Sequence, residues 1–108
     1  MSELVIRPLE QSDHDAWRRL WTDYLIFYKA SVPEAVYALT WKRLFTEGEF
    51  EPRGFIALLD GKPVGLVHYL YHRTCWSEVD NCYLQDLFAA PEARGKGVGT
   101  ALIDAVRK

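Results

Sequence analysis

No stretch of this 108-residue chain is apolar for long enough to span a bilayer, which takes about 20 residues. Glu3 and Arg7 also interrupt the apolar run that a secretory leader would need at the N-terminus. Neither sign of charge dominates. Against 15 Asp and Glu stand 13 Lys and Arg, for a formal net charge of −2. A nucleic-acid-binding surface needs a basic excess, so that class of partner is excluded, as is a membrane. Cysteine is scarce: Cys75 and Cys82 occur with no CxxC spacing. They read as reduced, partly buried thiols of a cytoplasmic protein rather than as a disulfide framework. Repeats, linkers and low-complexity segments are missing. With 49% hydrophobic residues and mixed charge the chain is globular, and its length fits one domain over residues 1–108.

Glycine is concentrated. Of seven glycines, three fall in the run Leu87-Phe88-Ala89-Ala90-Pro91-Glu92-Ala93-Arg94-Gly95-Lys96-Gly97-Val98-Gly99-Thr100. An apolar strand reads into a glycine-spaced loop, and the loop opens a helix. Gly95, Gly97 and Gly99 carry no side chains, so backbone N–H groups can converge there on an anion. The helix start adds unpaired N–H groups and the positive end of its dipole. A diphosphate is the ligand such a loop holds. Two common phosphate motifs are excluded. No Gly-x-x-x-x-Gly-Lys-Ser/Thr spacing exists, and in a Gly-x-Gly-x-x-Gly frame the third glycine would fall on Thr100 or Leu102.

The periodicity gives the order strand, helix, helix, strand, strand, strand, helix. Leu4 to Ile6 starts a first strand, and Ser12 or Asp13 caps a helix with Trp17, Leu20, Trp21, Tyr24, Leu25 and Tyr28 at helical spacing. Pro33 and Glu34 open a second helix whose apolar set is Val36, Leu39, Leu44 and Phe45. Phe55 to Leu59 is a strand, Asp60-Gly61 a hairpin turn, and Val64 to Tyr71 the returning strand. Cys82 to Ala89 is a fourth strand, and Gly97 to Lys108 a helix facing inward through Val98, Leu102, Ala105 and Val106.

The spacing Arg94-x-x-Gly97-x-Gly99, between that strand and that helix, resembles the acetyl-CoA pyrophosphate loop of the GNAT N-acetyltransferases. The resemblance covers the whole chain. It is carried further by Trp17-x-x-x-Trp21-x-x-Tyr24-x-x-Phe27-Tyr28, by His72-Arg73-Thr74-Cys75-Trp76 and by Tyr83-Leu84-Gln85-Asp86-Leu87-Phe88. It is nearest to the subgroup around the small yeast histone and D-amino-acid acetyltransferases, with polyamine acetyltransferases further off. It implies an α+β fold with a mixed, mainly antiparallel sheet, in the order β1-α1-α2-β2-β3-β4-α3, incomplete at its C-terminal end. The fifth strand, fourth helix and final strands of the family are expected to be missing. An unpaired fourth-strand edge would then favour a homodimer.

The resemblance also implies chemistry. A primary amine attacks the thioester of acetyl-CoA directly. A backbone N–H at a bulge in the fourth strand, placed at Leu87 by counting back from the loop, would stabilise the oxyanion. Backbone groups of Leu87, Phe88 and Ala89 would pair with the pantetheine arm. Arg94, Gly95, Lys96, Gly97, Val98, Gly99 and Thr100 would take the diphosphate. Relatives often carry Glu-Asp on that strand, where this chain has Gln85-Asp86. Gln cannot accept a proton, so Asp86 is the candidate base, with a purely structural Asp as the alternative. Strand alternation leaves open which face it takes. The usual acid, a Tyr on the fourth helix, has no counterpart here.

Glu78, Asp80, Asp86 and Glu92, with no Lys or Arg between Arg73 and Arg94, would draw a cationic amine or form a solvated loop. Tyr24, Tyr28, Trp76 and Tyr83 are candidate pocket residues, or simply core. His68 and His72 lie four apart on one strand face but lack a third ligand, so no metal site is expected. The expected activity is acetyl transfer to a polyamine, an amino acid or a lysine side chain, free or in a peptide. The alternative is a non-catalytic acyl-CoA-binding or interaction module.

Overall fold

The computed structural model describes residues 3–76 and 78–107. Four strands form one sheet in the order β1 (Leu4–Pro8), β2 (Arg53–Leu59), β3 (Lys62–His72) and β4 (Asn81–Ala89). All three pairings are antiparallel, so the described sheet is antiparallel throughout rather than mixed. Helices α1 (His14–Phe27) and α2 (Glu34–Leu44) join β1 to β2, and α3 (Val98–Arg107) follows β4. Lys108, the expected end of that last helix, lies outside the described residues.

The turn between β2 and β3 is set by Asp60 and Gly61, at φ 53° and 81°. Two consecutive positive φ angles give the tight turn whose twist matches its flanking strands. Leu59 and Lys62 pair directly across it. Along β3 the run Val64 to His68 is buried on both faces, because helices cover the sheet from two sides. At Gly65 a Cβ would lie 2.8 Å from the carbonyl oxygen of Phe88 and 2.8 Å from Val98 Cγ1. Glycine there lets α3 sit close on β3, with Val98 and Leu102 buried at the contact.

The opposite face carries α1 and α2. Trp17, Leu20 and Leu25 are buried on α1, and Trp17 is fully enclosed. Helix α2 turns a different face inward from the one its aliphatic residues predict. Tyr37 and Leu44 are buried and Trp41 is half-buried, whereas Val36 and Leu39 are exposed. The reason is aromatic packing: Trp41 lies 4.9 Å from the Trp17 ring and Tyr37 meets it edge-on at 6.3 Å. Both cysteines are exposed free thiols, not partly buried, since Cys75 sits in the β3–β4 connection and Cys82 at the start of β4. Among the described residues no helix is long and apolar enough to cross a membrane.

Asp13 ties the N-terminal strand to α1. Its carboxylate takes a two-pronged contact from Arg7, at 2.7 and 2.9 Å, and accepts the Glu10 N–H at 2.8 Å. It therefore caps the short turn before α1 rather than α1 itself. The Arg7 hydrogen bonds hold its carboxyl pKa below the usual 3.8, against the opposing effect of burial. A lowered carboxyl pKa contributes stability above the unfolded value and loses it as pH falls through the folded one. Acid titration of stability should thus show a loss below about pH 4 that Asp13→Asn lacks. At neutral pH that variant should be less stable by about 1.5–3 kcal/mol in urea denaturation.

Candidate active site

The glycine loop forms a cradle of about 340 Å³ between the end of β4 and the start of α3. Ala89, Ala93, Arg94, Gly95, Gly97, Val98, Gly99 and Thr100 line it. Gly95 and Gly97 have φ of 83° and 78°, which side-chain-bearing residues rarely adopt. A Cβ built on Gly95, Gly97 or Gly99 meets nothing within 4 Å, so each would project into open space. Ala101 N–H closes the first helical bond, onto Gly97. The N–H groups of Gly95, Gly97, Val98, Gly99 and Thr100 make no hydrogen bond among the described residues. A set of bare N–H donors at a helix start, with no side chain in the way, fits a diphosphate. Arg94 lies at the rim, donating from Nε to the Ala89 carbonyl at 3.3 Å with its guanidinium 5.2 Å from the Phe27 ring centre. Lys96 is exposed and does not line the cradle.

Strand β4 leads away from the cradle. Ala90 N–H donates to Val64 O at 2.7 Å. Antiparallel ladders alternate, so Phe88 also turns its backbone groups toward β3, and Leu87 and Ala89 turn theirs outward. The Ala89 carbonyl receives Arg94 on that open side. No described strand pairs with this edge.

The ladder is broken once. His68 pairs with Asp86 but Tyr69 pairs with Leu84, which makes Gln85 the extra residue of a bulge. The irregularity thus lies two residues before Leu87, not at it. The bulge resets the side-chain alternation. Leu84 takes the Tyr69 face, and Asp86 takes the His68 face, under α1 and α2.

A second cavity, about 510 Å³, opens at Asp86. Its floor is His68, Leu70, Gln85 and Asp86. Trp21 from α1, with Thr40, Arg43 and Leu44 from α2, forms one wall, and Phe50, Glu51 and Pro52 form the other. Asp86 Oδ2 lies 3.1 Å from His68 Nδ1, and Trp17 Nε1–H donates to His68 Nε2 at 2.9 Å. Tyr24 packs against Asp86. Burial first, then the Asp86 charge and a hydrogen bond to its carboxylate, push the Tyr24 phenol up to about 12. Trp21 Nε1–H, on the cavity wall, is buried without a hydrogen-bond partner among the described residues. Arg43 forms no ion pair among them.

Of the residues singled out in the sequence, Gln85 and Asp86 share this cavity, and the glycine loop forms the cradle. Leu87, Phe88 and Ala89 connect the two, with Phe88 buried against Tyr24. Tyr28, Trp76 and Tyr83 do not line the cavity. Tyr28 follows the end of α1 at 61% exposure, Trp76 is 96% exposed, and Tyr83 is half out in solvent beside His72. The walls come instead from Trp21 of α1, from α2 and from the segment before β2, and of these Thr40, Arg43, Phe50, Glu51 and Pro52 were not singled out in the sequence. One signal was available: His68 directly continues the apolar run Val64 to Val67, and a buried polar group requires partners.

The antiparallel sheet, the bulged fourth strand and the glycine cradle thus form one continuous feature along β4. A sequence profile described as the acetyltransferase (GNAT) family matches residues 14–108, and the chain belongs to that family. The D-amino-acid N-acetyltransferase HPA3 of Saccharomyces cerevisiae (strain ATCC 204508 / S288c) is 35% identical over 105 residues, covering 95% of this chain. The chain spans 65% of the length of that relative. The aminoglycoside acetyltransferase AAC(6')-Iy, solved with the bisubstrate analogue CoA-S-monomethyl-acetylneamine, shares the fold at a TM-score of 0.80 and 23% identity. That match covers 97% of this chain and 69% of the other. An integron cassette protein from the mobile metagenome of Cole Harbour Salt Marsh matches at a TM-score of 0.85 and 20% identity, over 94% and 66% of the two chains.

Tyr24 offers a direct check on the buried side of the site. A phenol whose pKa is raised on folding contributes stability below its unfolded value and loses it as pH rises through the folded one. Ultraviolet titration should show a late tyrosine ionising near 12, above the usual 10, that disappears in Tyr24→Phe. Wild-type stability should fall between those two pH values more steeply than that of the variant.

Proposed function

We propose that the protein transfers the acetyl group of acetyl-CoA to the primary amine of a small acceptor, by direct attack within a ternary complex. The observation that carries this reading is the placement of two sites along one strand. A glycine cradle lies at one end of the Leu87–Ala89 edge, which no described strand pairs, and a cavity holding a carboxylate lies at the other. GNAT acetyltransferases use acetyl-CoA, and the bare N–H donors of the loop suit its diphosphate. The outward backbone groups of Leu87 and Ala89 suit the pantetheine arm, and the Leu87 N–H suits the carbonyl oxygen as it gains charge.

An alkyl amine arrives as an ammonium, with a pKa of about 10.4. Asp86 removes one proton and leaves the nitrogen lone pair free to attack the thioester carbon. The N–C bond forms, the C–S bond breaks, and the second proton leaves nitrogen to end on the departing sulfur. Gln85, which cannot take a proton, acts as a hydrogen-bonding neighbour. Asp86 and Glu51 favour a cationic acceptor. Arg43, on the wall facing Glu51 and without an ion pair among the described residues, favours one that also carries a carboxylate. An amino acid satisfies both, and the relative HPA3 is named for that substrate class.

Cofactor binding is tested best at Gly99. Its position in α3 carries no positive φ, whereas a substitution at Gly97 would mix backbone strain with steric block. Gly99→Leu should stabilise the helix by up to about 1 kcal/mol while lowering CoA affinity at least tenfold in calorimetry. Unchanged affinity would remove the cradle as the diphosphate site. For the acceptor, acetyl transfer is to be compared across amino acids, polyamines, lysine peptides, aminoglycosides and alcohols. Amino acids should turn over fastest, and Arg43→Gln should raise their KM about tenfold while leaving that of polyamines unchanged. Transfer to alcohols alone would overturn the reading.

A further inference from the structure

We propose that His68 is a positioning residue for Asp86, held in a single tautomer by Trp17, so that the carboxylate receives a proton on one defined oxygen. The inference rests on Asp86 as the proton acceptor for the amine, and adds how the protein prepares it.

The direction of the chain follows from the chemistry of its members. An indole nitrogen only donates. Trp17 Nε1–H points at His68 Nε2 at 2.9 Å, so that nitrogen must offer its lone pair. A neutral imidazole carries one N–H, which is therefore on Nδ1. Nδ1 lies 3.1 Å from Asp86 Oδ2 and donates to it. An imidazolium would bring an N–H against the Trp17 N–H, and the alternative tautomer would do so as well. With Oδ2 occupied as an acceptor, a proton taken from an ammonium is directed to Oδ1.

Burial makes the arrangement rigid. Trp17 has no exposed surface and His68 has 3%. Trp41 and Tyr37 press on the Trp17 ring, and the Trp21 ring lies 4.9 Å from His68. Water is thereby excluded from the Trp17–His68 hydrogen bond, where an alternative partner would loosen it. His68 and Asp86 both line the cavity floor, Asp86 beside Gln85, whereas Trp17 lies outside the lining and holds His68 from behind. The apolar, aromatic setting also explains why a histidine sits in this strand at all: its role is to pass orientation from α1 to β4.

Two measurements test this. In protein labelled with ¹⁵N at histidine, His68 should show a protonated Nδ1 and a bare Nε2, and Trp17→Phe should abolish that single-tautomer signature. An Nε2–H tautomer in the wild type would overturn the proposal. In steady-state kinetics with a turned-over amine, His68→Leu should lower kcat about 10–100-fold with KM for acetyl-CoA and calorimetric CoA affinity unchanged. His68→Asn should recover most of the loss, because its amide N–H replaces Nδ1–H. Equal loss in both variants, or no loss in either, would overturn the positioning role. A wild-type protein inert toward every amine would instead remove the activity on which the role depends, a result distinct from an active wild type that is indifferent to His68→Leu.

Discussion

The enclosed indole of Trp17 is the contact on which the rest of this structure depends. Its ring joins α1 to α2 through Trp41 and Tyr37, and its N–H joins α1 to the sheet through His68. A large side chain with one polar atom can be buried only where that atom finds an acceptor. His68 supplies the acceptor, and in turn needs an acceptor of its own, which Asp86 supplies. One buried indole thus sets the approach of two helices and the position of a carboxylate on the far strand. Among the described residues nothing comparable links α3 to the sheet, where small size at Gly65 and the aliphatic contacts of Val98 and Leu102 suffice.

The two covered faces divide the labour. On one, α3 is drawn tightly onto β3, which fixes the helix start and with it the bare N–H groups of the cradle. On the other, α1 stands over β3 and β4 and α2 over β2, and a cavity is left between them. The bulge at Gln85 connects these halves. It turns Asp86 into the cavity while the strand beyond it, from Leu87 to Ala89, continues in register toward the glycine loop. A regular strand would have placed Asp86 on the face of Leu84 and Tyr69, away from His68.

Much of this was legible without coordinates. The Asp60-Gly61 turn, the four strands and the three helices follow from local rules: positive-φ residues between alternating segments, apolar residues at helical spacing, glycines before a helix start. The cradle is legible for the same reason, since its donors belong to consecutive backbone groups. Less legible was the inner face of α2. Tyr37 and Trp41 were outranked there by Val36 and Leu39, because hydropathy weighs aliphatic residues above aromatic ones and says nothing of the ring they meet. Tyr28, Trp76 and Tyr83 were candidate pocket residues on composition, and their exposure could be settled only by knowing what packs over them.

The sequence by itself determined the family, the order of elements and the glycine loop between β4 and α3, because each is written in residues close together along the chain. Tertiary structure alone decided the cavity at Asp86. Arg43, Glu51, His68 and Asp86 come from α2, from the segment before β2, and from two strands. Only the packing of α1 and α2 on the sheet brings them together. A single inserted residue in β4 then selects the face that Asp86 takes. A bulge is a property of the pairing between two strands, and neither strand encodes it alone.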